Sequence, residues 1–185
     1  LVVGAGALGS GLSVFLQNGG HEVTLFDAHK RKLDQIKDHG LILYLPDGSK
    51  KRAKVPAIAH YHLASRPDYI LLTVKTAEVA GALAALEKQF HPLPPVVFFQ
   101  NGLKAIEKEI SESLKDSAVF AVIPHYLMSV SLFEIRLGDG TPELYLKNES
   151  PHAQTLQALF QACGFEHCRV LEPHDFLKRQ WLQLM

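Results

Sequence analysis

Six residues near the start of the chain, Gly4-Ala5-Gly6-Ala7-Leu8-Gly9, restrict its fold more than any other feature. They follow the apolar run Leu1-Val2-Val3 and open a segment in which Leu8, Leu12, Phe15 and Leu16 recur at intervals of three and four. That spacing gives a helix with one buried face. Asn18-Gly19-Gly20 ends it, because Asn and Gly accept the left-handed conformation that closes a helix. A strand that turns into a helix through G-x-G-x-x-G has a physical reading at each glycine. Gly4 makes the tight turn, Gly6 lets backbone approach a pyrophosphate, and Gly9 lets helix pack on strand. The unpaired N–H groups and dipole of the new helix hold the phosphates. A ligand-free strand–helix turn has the same local pattern. What favours a dinucleotide is the next strand, Glu22 to Phe26, which ends at an acid, Asp27.

The remaining chain repeats this alternation. The spacing predicts helices over Arg31–His39, Glu78–Phe90, Leu103–Leu114 and Ser150–Cys163, with a last one from Pro173. Between them Tyr69–Val74, Val96–Phe99 and Val119–Ile123 are almost continuously apolar, as strands of a parallel sheet covered on both faces are. A further short strand is expected near Val170. Such alternation implies right-handed crossovers and a doubly wound, mainly parallel α/β sheet. Two stretches interrupt it. Leu41–Val55 reads as a hairpin about Pro46-Asp47-Gly48, and Ser131–Lys147 places strands either side of Gly138-Asp139-Gly140. These add an antiparallel strand pair. Pro92-Leu93-Pro94-Pro95 is a rigid connector and not a domain linker.

Composition excludes other classes. The 185 residues are 47% hydrophobic and 21% charged, and 19 basic residues balance 19 acidic ones. Disordered and fibrous chains do not have that balance. No surplus field draws nucleic acid or anionic membrane, so neither is expected as a partner. No apolar run reaches the ~18 residues of a spanning helix. Two cysteines, Cys163 and Cys168, make no disulfide framework, which points to a reducing, cytoplasmic setting. The strand at residue 1 and the helical pattern at Met185 read as a piece of a larger protein. Oligomeric state is left open by the sequence, a dimer included.

Three further places bear on chemistry. Asp27 is placed to accept both hydroxyls of an adenosine ribose, which suits NAD(H) and repels a 2′-phosphate. Lys30, Arg31 and Lys32 follow within one helical turn and could neutralise that phosphate, or simply form a solvated face. Lys75, in Thr73-Val74-Lys75-Thr76, stands at the carboxyl edge of the sheet where ligands bind in this architecture. It is either a strand end reaching solvent or a cationic contact to cofactor and substrate. Gln100-Asn101-Gly102 follows another apolar strand, and Asn101 offers both a donor and an acceptor. A plain Asn-Gly turn explains it equally. Both motifs fall at the edge that carries the glycine loop, and together they favour a site. His60-Tyr61-His62, read as a strand, puts two imidazoles on one face, but no acidic or sulfur ligand accompanies them and no metal is expected.

Gly4-Ala5-Gly6-Ala7-Leu8-Gly9, Val74-Lys75-Thr76, Gln100-Asn101-Gly102 and the strands around Gly138-Asp139-Gly140 resemble the ketopantoate reductase (2-dehydropantoate 2-reductase) family, in order over essentially the whole chain. The resemblance implies a Rossmann-type dinucleotide domain over residues 1–172, and over 173–185 the first helix of a helical substrate domain. It implies NADP(H) as cofactor and reduction of 2-dehydropantoate, a small 2-oxo acid, on the route to coenzyme A. By the same resemblance the glycine loop holds the pyrophosphate, Lys75 and Asn101 line the nicotinamide and substrate side, and His125 and Tyr126 pass the cofactor.

This chain departs from the pattern twice. Asp27-Ala28 stands where the family often has an arginine for the 2′-phosphate. The family's proton-donating lysine lies two residues beyond a tryptophan, but here Trp181 is followed at that distance by Gln183, which cannot protonate an alkoxide. Lys178, three residues before Trp181, is the nearest substitute. The fragment alone is therefore expected to be inactive. The other readings are a noncatalytic dinucleotide-binding module, and another 2-hydroxyacid or opine-type dehydrogenase.

Overall fold

In the computed structural model, which describes residues 1–100, 110, 112–123 and 127–182, the apolar runs become strands of one eight-stranded sheet. Its order is β12 (His167–Leu171), β11 (Glu143–Lys147), β8 (Ala118–Val122), β7 (Val96–Phe98), β6 (Ile70–Leu72), β1 (Val2–Val3), β2 (Leu25–Phe26) and β5 (Ala57–Ile58). All neighbours pair in parallel except β11 and β8, which run antiparallel. The chain leaves β1 towards β2 and later returns on its other side to β6. The strand order therefore reverses at the carboxyl ends of β1 and β6, where open α/β sheets bind ligands.

Both faces of the sheet are covered in its middle, which is why β8, β7, β6, β1 and β2 are apolar throughout, whereas β11 and β12 at one edge carry charged residues. Successive residues alternate between two cores: Val2, Leu71, Val97 and Val119 join one, and Val3, Leu72, Phe98 and Phe120 the other. The first core packs against α1 (Ala7–Asn18), α2 (Lys30–His39) and α4 (Ala153–Ala162). The second packs against α3 (Val79–Gln89), with Phe176 of α5 (Pro173–Leu182).

A second sheet of four strands has the order β4 (Lys50–Ala53), β3 (Leu41–Tyr44), β10 (Glu134–Leu137) and β9 (Leu127–Ser129). The β3–β4 hairpin forms as its turn residues predict, with Gly48 at φ +81° closing the loop from Leu45 to Ser49. The strands about Gly138-Asp139-Gly140 form too, but they diverge. β10 pairs parallel with β3, 92 residues earlier, whereas β11 joins the large sheet.

This second sheet packs on α1 from the side opposite β1 and β2, so α1 is not amphipathic with one buried face. Every residue from Gly9 to Leu16 is buried. Small residues make that burial feasible. The Ser10 and Ser13 hydroxyls donate to Ala5 O and Gly9 O, and Gly11 sits against the Leu127 side chain.

Two other expectations change. The second strand is limited to Leu25–Phe26, and His60-Tyr61-His62 lies in a 3₁₀ turn, Tyr61–Leu63, instead of a strand. The turn lets the His60 and His62 rings stack at 5.4 Å. The expected helix Leu103–Leu114 falls largely outside the described residues, of which Glu112–Ser117 form a 3₁₀ helix. Among the described residues no helix is long and apolar enough to cross a membrane.

Candidate functional site: a dinucleotide groove at the sheet edge

The carboxyl ends of β1, β2 and β6 enclose a cavity of 540 Å³. Gly4 and Gly6 form its floor, Asp27 and Lys32 one wall, and Thr73 and Lys75 the other. Thus five of the residues singled out in the sequence, Gly4, Gly6, Asp27, Lys32 and Lys75, line one space.

The glycine loop has a different constraint at each position. Gly4 adopts φ +107°, a conformation that L side chains rarely take. A Cβ on Gly9 would stand 2.0 Å from Gly4 O and 2.5 Å from Thr73 Oγ1. A Cβ on Gly6 would meet nothing within 4 Å. Gly6 is the N-cap of α1 and no side chain caps that end; Ser10 N–H to Gly6 O, 2.9 Å, is the helix's first bond. The N–H groups of Ala7, Leu8 and Gly9 therefore have no helical acceptor. Open space in front of uncapped donors fits a pyrophosphate, which a side chain at Gly6 would displace.

The loop is fastened from both neighbouring strands. Asp27 Oδ2 accepts the Ala5 N–H at 2.8 Å. The Thr73 hydroxyl lies 2.9 Å from both Val3 O and Gly4 O. Asp27 Oδ1 also accepts the His29 N–H at 2.8 Å and faces His29 Nδ1 at 2.9 Å. Burial pushes the Asp27 carboxyl up, but the His29 and Ala5 backbone donors, the His29 ring and Lys32 outweigh it and hold it below its ordinary value. Both Asp27 oxygens are thus engaged within the chain before any ribose arrives.

The neighbouring basic residues separate. Lys32 lines the main cavity, and with His29, Arg31 and Leu132 it also lines an adjacent one of 470 Å³. Lys30, the first residue of α2, lines neither. At the far end Phe26 and Tyr61 stack at 3.9 Å, and burial pushes the Tyr61 hydroxyl up to about 12. His29, Thr73 and Tyr61 received no role from the sequence; those of Thr73 and Tyr61 depend on contacts to residues far away in the chain.

Lys75 is exposed at the cavity wall. Its N–H donates to Glu78 Oε2 at 3.0 Å and its carbonyl accepts the Glu78 N–H at 2.8 Å. Lys178 lies on α5, exposed and 3.2 Å from Asp175, and does not line the cavity. Asn101, His125, Tyr126 and Gln183 lie outside the described residues.

Known proteins resemble this chain in sequence and in fold. The sequence profile of ketopantoate reductase PanE/ApbA matches residues 1–148. A 2-dehydropantoate 2-reductase of Lactococcus lactis is 29% identical over 117 residues, covering 60% of this chain and 37% of the relative. An NAD(P)+ glycerol-3-phosphate dehydrogenase of Serratia proteamaculans is 26% identical over 180 residues, covering 95% of this chain and 52% of that one. The chain thus spans about half or less of the length of these curated relatives. Among solved structures, 2-dehydropantoate 2-reductase from Geobacter metallireducens matches with TM-score 0.80 at 20% identity, covering 100% of this chain and 62% of that one. D-Mandelate dehydrogenase with NADH and anilino(oxo)acetate matches with TM-score 0.78 at 21% identity, covering 98% and 59%. With the profile spanning residues 1–148 of a fold that solved reductases share, this chain belongs to the ketopantoate reductase PanE/ApbA family.

Proposed function

We propose that this chain is the cofactor-binding part of an oxidoreductase that reduces 2-dehydropantoate, or a related small 2-oxo acid, with NADPH. One observation carries the reading: the cavity joins an uncapped helix N-terminus with open space at Gly6 to an exposed lysine at the strand edge opposite. Residues 1–172 form the dinucleotide unit in this reading, and 173–185 begin a helical substrate domain. A cytoplasmic setting accords with two buried, unpaired cysteines.

The Ala7, Leu8 and Gly9 amides hold the pyrophosphate. His29, Arg31 and Lys32 receive the 2′-phosphate in the adjacent space that they line with Leu132, where no carboxylate stands among the described residues. When bound, the dinucleotide supplies a hydride to the carbonyl carbon of the acid. Lys75 faces the oxygen on which negative charge then grows, and a fixed cation there stabilises the transition state more than the ground state. Asn101 serves the same side. The proton comes from an acid outside this chain's described residues, with Lys178 the nearest lysine within it. Residues 1–185 alone bind dinucleotide and reduce nothing measurably, because positioning and general acid catalysis are both incomplete.

Initial rates of NADPH and NADH oxidation by the full-length protein test this against a panel of 2-oxo acids. Turnover of 2-dehydropantoate with NADPH, weakened by Lys32→Ala and Arg31→Ala for NADPH alone, supports the reading; activity with neither cofactor refutes it. A second reading, glycerol-3-phosphate dehydrogenase, has the match over 95% of the chain in its favour. Including glycerol 3-phosphate with NAD+ and NADP+ distinguishes it.

A further inference from the structure

Gln100 follows the last paired residues of β7 and is buried, 7% exposed. Its Nε2 donates to Leu72 O at 2.7 Å and to Val74 O at 2.9 Å. These carbonyls lie where β6 outruns its partner. The parallel ladder ends at Leu72 opposite Phe98, and the next amide, Phe99 N–H, reaches Leu72 O only at 3.4 Å. Carbonyls two residues apart on a strand point the same way. A carboxamide has two N–H donors on one nitrogen, so it can take both where the backbone no longer can. Neither a carboxylate nor an aliphatic chain of that length can. The Oε1 of the same amide is buried and has no hydrogen-bond partner among the described residues.

The segment so held leads directly to Lys75. Val74 O is fixed by Gln100 on one side, and on the other Glu78 binds the Lys75 N–H and carbonyl. The Lys75 backbone is thus fastened at both flanks while its ammonium stays exposed, with no ion-pair partner shown among the described residues.

We infer that Gln100 is a positioning residue: by replacing the ladder bonds that β6 loses beyond Leu72, it sets the direction from which Lys75 enters the cavity. The inference rests on the reading of Lys75 as the cation at the reacting oxygen.

The test uses Gln100→Met, Gln100→Glu, Lys75→Met and the Gln100→Met/Lys75→Met double variant of the full-length protein. Turnover is followed with 2-dehydropantoate and NADPH, together with melting temperature and hydrogen exchange of the Thr73–Glu78 peptide. Gln100→Met is expected to lower kcat by about 10- to 100-fold, the scale of a misplaced catalytic group, with the KM for NADPH unchanged. Added to Lys75→Met it should cost no further kcat, although the losses in melting temperature still add. Gln100→Glu should regain part of its turnover as the pH falls, because the protonated acid has one O–H to donate to a carbonyl and the carboxylate has none. A merely structural glutamine would give kcat losses that multiply in the double variant and no recovery at low pH; either result overturns the inference.

Lys75→Met with unchanged kcat would remove the role of the lysine instead. Hydrogen exchange then still decides the backbone claim: faster exchange at Thr73–Glu78 in Gln100→Met supports it, and unchanged exchange refutes it. Should Gln100→Met not fold, Gln100→Glu compared at low and neutral pH decides by the same exchange criterion.

Discussion

Gly6 and Gly9 are three residues apart in one loop, yet replacing them should have opposite consequences. At Gly6 the backbone is extended, φ −68° and ψ −176°, and a new Cβ meets nothing within 4 Å. Gly6→Val then costs the fold only what a poorer N-cap costs, ~1 kcal/mol or less. For a domain of this size that lowers the melting temperature by roughly 2–4 °C. The branched side chain fills the space in front of the Ala7, Leu8 and Gly9 amides. Losing two hydrogen bonds to a charged phosphate, at ~1.5–3 kcal/mol each, weakens dinucleotide binding by ~3–6 kcal/mol. That is about 10²- to 10⁴-fold in Kd.

At Gly9 the new Cβ would lie 2.0 Å from Gly4 O and 2.5 Å from Thr73 Oγ1, so loop or strand must move. Overpacking of that kind costs ~1–3 kcal/mol, and displacing the Thr73 hydroxyl adds ~1 kcal/mol. Gly9→Ala should therefore melt about 4–16 °C lower at ~2–4 °C per kcal/mol. Thermal melts by circular dichroism and calorimetric titration with NADPH and NADH separate the two effects. A folded Gly6→Val with wild-type affinity would refute the assignment of the loop, and a Gly9→Ala that melts like wild type would refute the packing.

Asp27→Asn should lower stability by ~1–3 kcal/mol at neutral pH, since the buried Ala5 amide loses a charged acceptor. Because the Asp27 carboxyl is held below its ordinary 3.8, the unfolded chain binds the extra proton. The contribution is present above pH 3.8 and fades as the pH falls towards the folded value, so acid unfolding curves of the two proteins should converge there. Thr73→Val should loosen the glycine loop by ~1 kcal/mol and weaken dinucleotide binding, whereas Thr73→Ser should restore both; matching affinities in all three proteins would remove that role. Burial raises the Cys163 thiol and pushes Cys168 up to about 12. Neither should be alkylated by a maleimide in the native protein near neutral pH, whereas both react after denaturation, as intact mass will show.

What the sequence disclosed follows how far its interactions reach. The glycine loop, α1 and the β3–β4 turn are set by residues within a few positions of one another, and their spacing was legible. Leu25–Phe26 was read three residues too long, because apolar residues alone do not say where ladder partners stop. Ser131–Lys147 looked like another hairpin, yet β10 takes a partner 92 residues back and β11 turns to β8. Nothing local to Gly138-Asp139-Gly140 encodes that choice. The burial of α1 on all sides was hidden for the same reason. At the site, Gly4, Gly6, Asp27 and Lys75 were visible as motif residues, but the bonds of Asp27 to Ala5, Thr73 to Gly4 and Gln100 to Val74 join residues 22, 69 and 26 positions apart.

The pairing of β10 with β3 also puts a clock into biosynthesis. Helix α1 emerges early from the ribosome, but the strands that shield its outer side are completed only at Leu137. At about 5–20 residues per second, the interval between β3 and β10 lasts roughly 5–20 s. During it Leu127, which will cover Gly11, has not been made or has not docked, and a helix whose residues Gly9 to Leu16 are all buried in the finished fold lacks one side of its cover. Such an interval is when a nascent chain most needs a chaperone or slow dilution. The cover of a helix that opens at residue 7 is therefore finished only by a strand made more than a hundred residues later.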